Sequence, residues 1–368
     1  MSFTDADRRY MAQALLLAAK GAGYTSPNPM VGAVVVKDDQ IVGQGYHRQL
    51  GSAHAEVEAL NDAGPQAQGA TLYVTLEPCH HQGRTPPCTA AIMAAGIKRV
   101  VMATRDPNPQ VTGGGGEFLK SQGVAVETGL LEKEAQQLNE AFFKAVTTGL
   151  PWVIAKAACS LDGKIATHAG DSHWITGPKA RALVHRFRHQ VDAILVGIAT
   201  VLTDDPQLTT RLPRRRGRDS IRVILDSNLR IPLTARVLTI KSLAPTWVAC
   251  TQAAASEKIV AVQQTGAEVL VVPGDGPQVN LPALLKLLGQ RQVQSLLVEG
   301  GAEIHGAFFD QGLVDKFHFF YAPKFIGGRG AFSVLAGQGV ARIADAWPAK
   351  NLTIRRVGPD VLISGYVG

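Results

Sequence analysis

The sequence predicts an α/β protein of two domains. Three observations carry this. At 368 residues the chain has room for about two domains of roughly 150 residues. Short apolar, β-branched runs alternate with helix-length segments along its whole length. The alternation restarts after TTGLPW (147–152), which reads as a boundary between domains 1–148 and 149–368.

In the first half, Met11, Ala14, Leu15, Ala18 and Ala19 recur at helical spacing and predict a helix over 5–21. Two strands follow, VGAVVVK (31–37) and IVGQGYH (41–47), joined by the turn DDQ. HAEVEALNDAG opens a helix near His54, and ATLYVTL (70–76) reads as a strand. PPCTAAIMAAG (86–96) is a helix whose prolines suit a first turn. KRVVMAT (98–104) is a strand, and DPNPQVTGGGG (106–116) is turn-rich. A helix across 131–147 closes this half, which should form a sandwich around a mostly parallel sheet. The second half begins with a strand (PWVIAKAA), a helix (GPKARALVHRFRHQ) and a strand (DAILVG). Further strands read at IRVILD, TWVAC, EVLVV, SLLVEGG and DKFHFFYAP.

Apolar residues make up 46% and charged residues 18%, which places the chain among globular proteins and excludes intrinsic disorder. No apolar run approaches the ~18 residues of a membrane span. The start, MSFTDADRRYMAQ, carries acids and lacks an apolar signal core, so a soluble cytoplasmic protein is expected. The four cysteines are Cys79, Cys88, Cys159 and Cys250. A reduced compartment argues against a disulfide framework, and Cys159 and Cys250 read as small buried hydrophobes. Net charge is +7 and uneven: residues 1–150 hold 12 Lys and Arg against 14 Asp and Glu, and residues 151–368 hold 25 against 16. The second half therefore favours anionic partners such as a phosphorylated small molecule, a nucleotide cofactor or nucleic acid. The run RLPRRRGR (211–218) is either a solvated loop or a phosphate contact.

Three fragments of the first half point to one site. His54-Ala55-Glu56 opens a helix, Pro78-Cys79 ends a strand, and Cys88 opens the next helix. Catalytic zinc is held by three protein ligands plus water, and His54, Cys79 and Cys88 supply that count. Residues i and i+2 do not share a helix face, so His54 and Glu56 serve one site only if it lies off the helix end. The helix N-terminus should lower the Cys88 thiol and ready it as a thiolate. Zinc lowers the pKa of bound water from ~15.7 toward ~7, and Glu56, not itself a ligand, can carry protons. The order matches the H-x-E … P-C-x-x-C arrangement of zinc nucleobase deaminases, except that the second cysteine here follows a longer loop, TLEPCHHQGRTPPC.

That longer loop resembles the family of bifunctional riboflavin-biosynthesis deaminase–reductases. The family loop reads C-x-H-x-G-[RK]-T-P-P-C, matched by His81, Gly83, Arg84, Thr85, Pro86, Pro87 and Cys88, whereas His80 stands where the family usually has a small residue. TSPNPMVGAVVV also matches, and the resemblance makes Asn28 a pyrimidine-binding residue. His47 is either a substrate contact or a structural histidine. In the second half the matching motifs are AACSLDGKIAT, GDSHWITG, DAILVGIATVLTDDPQLTTR, IRVILDS and LLVEGGAEIHGAFF. The resemblance implies a cytidine-deaminase-like three-layer sandwich followed by a dihydrofolate-reductase-like domain that uses NADPH.

Read locally, VEGGAEIHGAF is a strand, a glycine turn and a helix whose amides can approach a pyrophosphate, without the G-x-G-x-x-G of a Rossmann domain. By resemblance, Ala158, Trp174, Thr200, Asp204, Ser227 and the run Gly301, Ala302, Glu303, Ile304, His305, Gly306 and Ala307 border the cofactor. Lys156, Ser172, Arg188, Leu208, Arg211 and Glu299 border the substrate. Arg188 and Arg211 suit its phosphate, since guanidinium forks match phosphate oxygens. Asp204, then Glu299 and Lys156, are the candidates for proton transfer at the reduced carbon.

The implied chemistry is deamination of 2,5-diamino-6-ribosylamino-4(3H)-pyrimidinone 5′-phosphate with Zn2+, then reduction of the ribosyl chain with NADPH. Enzymes of this kind often self-associate, so a homo-oligomer without nucleic-acid or membrane partners is expected. Two other classes of function fit the sequence less well. A tRNA deaminase with a basic binding domain would interleave aromatics with its basic residues, and RLPRRRGR has none. A structural zinc protein would close its site with four ligands, and only three are found beside a placed Glu.

Overall fold

The structure, a computed structural model, describes residues 3–80, 86–109, 114–213 and 217–368. The chain divides into two units, Met1–Gly149 and Leu150–Gly368.

In the first unit, strand Gly32–Lys37 lies between Gln40–Tyr46 and Thr71–Val74, antiparallel to both. Arg99–Met102 and Ala125–Thr128 extend the sheet in parallel. The sheet is thus mixed, not mostly parallel. Asp38 and Asp39 take φ of 48° and 57°, a tight reversal that folds the first two strands into a hairpin. Side chains alternate across the sheet. Ala33 and Val35 face Leu60, Ile92 and Leu119 from the helices Ala55–Ala63, Cys88–Ala94 and Gly115–Ser121. Val34 and Val36 face Met11, Ala14 and Leu17 of helix Asp5–Ala18. This gives three layers, each fully buried Val or Leu contributing about 1.5–3 kcal/mol.

Two glycines seat the helix Ala55–Ala63. A Cβ on Gly43 would fall on the Ala59 carbonyl and 2.6 Å from Ala63 N. One on Gly45 would lie 2.5 Å from Ala59 N and 2.6 Å from Ala55 O. The helix backbone therefore rests directly on the strand, which fixes where its first turn points.

The sequence-predicted helix over 131–147 is two helices, Glu132–Leu138 and Glu140–Thr148, broken at Asn139. The Asn139 side chain accepts from Met30 N at 2.8 Å and donates to Met30 O at 2.9 Å. Asparagine competes for backbone hydrogen bonds and is a poor helix-interior residue, which accounts for the break. The predicted turn-rich stretch is shorter than expected, because its last glycines begin helix Gly115–Ser121.

Among the described residues of the second unit, nine strands form one sheet. Seven are parallel, in the spatial order Glu268–Val272, Thr246–Thr251, Ile221–Leu225, Ala193–Gly197, Ser295–Gly300, Trp152–Ser160, Lys316–Ala322. Asp360–Val367 and Ala349–Val357 continue it antiparallel, and the sequence reading missed both. Every residue of Ala193–Gly197 and Thr246–Thr251 is buried, as befits a parallel sheet covered on both faces. Leu195, Val223 and Ala249 pack with Leu284, Leu285 and Phe308 on one face, while Val196, Ile224 and Val248 pack with Val201, Val237 and Val262 on the other. Among the described residues no helix is long and apolar enough to cross a membrane.

Asp7 ties the outer helix of the first unit to its sheet. Thr4 and Asp7 form a reciprocal capping box. Asp7 also accepts from Tyr73 Oη at 2.6 Å and Arg99 Nη1 at 2.8 Å. Burial disfavours the charge, but hydrogen bonds from Arg99, Tyr73 and Thr4 outweigh it and hold the carboxyl well below the usual carboxylate range. A depressed folded-state pKa stabilises the protein above the unfolded value of about 3.9, and that contribution fades as pH falls through the folded value. Asp7→Asn should cost about 3 kcal/mol at neutral pH, since one partner of a buried pair is removed. In urea titrations at pH 7 and below pH 4, the gap between variant and wild type should narrow on acidification; a constant gap would remove Asp7 from this role.

Candidate functional site

His54 is the N-cap of helix Ala55–Ala63, with extended backbone, so its ring leaves the helix end. Cys88 is the first residue of helix Cys88–Ala94, behind Pro87. Cys79 lies in the turn beyond strand Thr71–Val74. Glu77 anchors that turn by accepting from Asp106 N at 3.2 Å and Gly116 N at 2.9 Å. The first amides of the helix close on it: Cys88 N donates to Cys79 Sγ at 3.3 Å, and Thr89 N to Cys79 O at 3.3 Å.

These elements bring His54 Nδ1 to 3.2 Å from Cys88 Sγ and 3.6 Å from Cys79 Sγ. The three donors lie within 4.8 Å of one another. A tetrahedral ion with bonds of about 2.0–2.3 Å needs donor separations of roughly 3.4–3.8 Å. One imidazole and two thiols at these spacings fit zinc, and no fourth ligand joins the group among the described residues. Glu56 is 3% exposed beside them. Burial pushes its carboxyl up to about 7, and negative charge on Cys79 adds to this.

Without a metal ion the two thiols share their protons unequally. Hydrogen bonding from Cys88, then from His54, pulls Cys79 down to about 4, whereas Cys88 is pushed up by its contact with Cys79 and by burial. The helix amide of Cys88 points at its neighbour's sulfur, so the neighbour receives the benefit. A bound metal ion replaces these protons and takes both as thiolates.

Beside the donors, His47 Nδ1 lies 3.1 Å from Ala53 O and its Nε2 lies 3.2 Å from Asn28 Nδ2. Burial lowers the His47 pKa, which favours the neutral ring. A neutral ring that donates from Nδ1 to a carbonyl accepts at Nε2, which turns the Asn28 NH2 toward His47. His80 stacks on Phe118 at 3.9 Å and contacts Thr89 Oγ1 at 3.0 Å, away from the three donors. His81, Gly83, Arg84, Thr85 and Arg214–Arg216 lie outside the described residues.

In the second unit the expected cofactor residues follow the carboxyl ends of four adjacent parallel strands. Ala158 is on Trp152–Ser160, Gly301 follows Ser295–Gly300, Thr200 follows Ala193–Gly197, and Ser227 follows Ile221–Leu225. Ligands of open α/β sheets bind along such an edge. A Cβ on Gly301 would meet only Thr200 Oγ1, at 3.8 Å, so the turn before helix Ala302–Asp310 is a cradle open to a phosphate group and fits a dinucleotide. His305 departs from that set: it is 2% exposed and its ring nitrogens face Val298 O and Val334 O at 3.2 and 3.3 Å. Trp174 is exposed, with the Arg181 guanidinium 4.5 Å above its ring. Asp204 accepts from Ser172 Oγ at 3.2 Å.

Lys156, Arg188 and Glu299 converge. Arg188 forks onto Glu299 at 2.7 and 2.8 Å and donates to Thr209 O at 3.1 Å. Lys156 Nζ is 3.9 Å from Glu299. Burial opposes the Glu299 charge, but Arg188 and Lys156 overcome it and hold the carboxyl at about 2. Burial lowers the Lys156 pKa, and Arg188 lowers it further. The Arg188 fork is thus turned to Glu299 instead of to open solvent, while Arg211 is exposed and reaches Gln207 at 3.3 Å. The Leu208 side chain is buried in the core with Val196 and Ile198, so only its backbone can face a ligand. The residues that sequence reasoning missed are Glu77 and Asn139. Only Asn139 left a signal, as a polar interruption of a helical pattern.

Comparison with known proteins covers both units. The family profile of the RibD C-terminal domain matches residues 151–363. The cytidine and deoxycytidylate deaminase zinc-binding region matches residues 4–104. The chain is 46% identical over 355 residues to the riboflavin biosynthesis protein RibD of Bacillus amyloliquefaciens, covering 96% of this chain and 95% of the relative. It is 44% identical to RibD of Escherichia coli K12, covering 97% and 98%. A structure of Acinetobacter baumannii RibD superposes with a TM-score of 0.89 at 40% identity, covering 99% of each chain. A diaminohydroxyphosphoribosylaminopyrimidine deaminase/5-amino-6-(5-phosphoribosylamino)uracil reductase from Thermotoga maritima superposes with a TM-score of 0.86 at 38% identity, covering 99% of each chain. These matches span both units and leave the tRNA-deaminase alternative unsupported. The first unit is cytidine-deaminase-like and the second is a reductase domain of the dihydrofolate-reductase type. The chain belongs to the RibD family of bifunctional riboflavin-biosynthesis proteins.

Proposed function

We propose that residues 1–148 deaminate 2,5-diamino-6-ribosylamino-4(3H)-pyrimidinone 5′-phosphate and residues 149–368 then reduce its ribosyl chain, giving 5-amino-6-(5-phosphoribitylamino)uracil. The observation that carries this is the group His54, Cys79 and Cys88 beside the buried Glu56. Zn2+ and NADPH are the cofactors.

His54, Cys79 and Cys88 would hold the zinc. Zn2+, when bound, supplies the Lewis acidity that makes water nucleophilic near neutral pH. Glu56, in a site that pushes its carboxyl up to about 7, takes a proton from the attacking water and returns it to the departing amine. Asn28, held by His47, orients the pyrimidine ring. Ammonia leaves, and the ring carries the carbonyl of uracil.

The glycine turn at Gly301 and its neighbours Ala158, Trp174, Thr200 and Ser227 would border NADPH. NADPH, when bound, supplies the hydride for the ribose C1′. Glu299 and Lys156 orient the ribosyl hydroxyls, and Asp204 with Ser172 handles the proton. Arg211 meets the substrate phosphate. A phosphorylated substrate also accounts for the basic excess of this half. We place the protein in the cytoplasm as a homo-oligomer that binds neither nucleic acid nor membrane.

Two substitutions test the reading. Glu56→Gln keeps the three donors, so zinc content should stay at the wild-type level while ammonia release falls by about 10²–10⁴-fold. Unchanged ammonia release would dismiss Glu56 as the proton carrier. Asp204→Asn should cut turnover of the deaminated ribotide by about 10²-fold while NADPH affinity moves little. Equal loss of turnover and affinity would make Asp204 a binding residue only.

A further inference from the structure

We propose that Asn139 is a positioning residue for the deaminase site, acting through the segment that carries Asn28. The inference rests on the deaminase reading above and extends it to a residue that is no part of the zinc group.

Asn139 is 4% exposed. At the break between the two helices its backbone is still satisfied: its N–H donates to Gln136 O at 3.1 Å, and its carbonyl accepts from Phe143 N at 3.0 Å. Its side chain is thereby left for another partner. Both ends of the amide go to one residue, Met30, with the oxygen on the Met30 N–H at 2.8 Å and the NH2 on the Met30 carbonyl at 2.9 Å. This double contact copies the pairing of two β-strand residues. It reads the main chain of Met30 and is indifferent to its side chain. Of the twenty side chains only Asn and Gln set a carbonyl acceptor and an N–H donor side by side on one planar amide, and Asn is the shorter.

Met30 lies between Asn28 and the strand Gly32–Lys37. The same stretch is held from the other side by His47, whose N–H donates to Val31 O at 2.9 Å and whose Nε2 meets Asn28 Nδ2 at 3.2 Å. His47 in turn contacts Ala53 O, one residue before the ligand candidate His54. Asn139 and His47 therefore clamp residues 28–31 from two elements distant in sequence. With one jaw removed, Asn28 loses its fixed distance to the donors, although no donor has moved.

The test is a double-mutant cycle on the full-length, zinc-loaded protein, following ammonia release from the diamino ribotide. Asn139→Asp keeps the acceptor for Met30 N–H but sets an oxygen against the Met30 carbonyl. In the wild-type background it should raise KM about tenfold, the scale of one lost hydrogen bond plus a repulsive contact, with kcat and zinc content little changed. In an Asn28→Ala background the same substitution should raise KM by less than about twofold, because the contact it works through is gone. Asn139→Ser serves in its place if the carboxylate prevents folding. Equal factors in both backgrounds, or a lowered Tm with KM untouched, would make Asn139 a purely structural residue and overturn the proposal. Wild type assayed alongside keeps the claims apart: no ammonia from wild type refutes the deaminase reading itself, whereas release with equal factors refutes only the role of Asn139.

Discussion

The deaminase half depends on a close backbone contact. Gly43 and Gly45 let the helix Ala55–Ala63 lie directly on strand Gln40–Tyr46, at a distance no side chain would permit. That contact decides where His54 and Glu56 sit, because both belong to the first turn or cap of the helix. From there the site assembles by convergence of ends. A helix cap, the turn after a strand and the start of a second helix meet at one point, each supplying one donor. The interior of those elements is plain apolar packing. Their ends carry the unpaired amides and the room for polar side chains.

The reductase half reaches polarity differently. Its cluster of Lys156, Arg188 and Glu299 is buried beside the sheet, and no member would be tolerated alone. Glu299 keeps its charge because Arg188 and Lys156 surround it, and burial, then Arg188, lower the Lys156 pKa against the pull of Glu299, which makes its ammonium a readier proton donor. A cluster held in this way is preorganised, and if it meets the substrate as proposed above it needs little rearrangement. The glycine cradle at Gly301 lies along the same sheet edge, so donor turn and polar cluster share one rigid scaffold.

Much of this was legible in the sequence, for identifiable reasons. The zinc group could be read because its chemistry demands rare residues, and His54, Glu56, Cys79 and Cys88 occur in one order that few other functions require. Strands such as Ala193–Gly197 could be read because they are buried on both faces and hence uniformly apolar. The final strand pair could not: in Ala349–Val357 all but the last residue are exposed, so it shows no buried face to betray it. The turn DDQ between the first two strands was legible, whereas the antiparallel pairing of Gly32–Lys37 with Thr71–Val74, which makes the sheet mixed, joins segments too far apart in sequence to leave a local signal. The pairing of Arg188 with Glu299 was also out of reach, since the two are brought together only by the sheet order. Asn139 showed as a blemish in a helix, and its partner Met30 lies too far away in sequence for the pattern to name it.

The central claim is that one chain carries two consecutive reactions on one ribotide. The most direct measurement supplies the diamino ribotide and NADPH together and follows ammonia and NADPH in the same sample. The account predicts that ammonia appears first and that NADPH is then lost mole for mole with it. Loss of NADPH without ammonia would contradict it, because reduction would then proceed on a ring that still bears its amine.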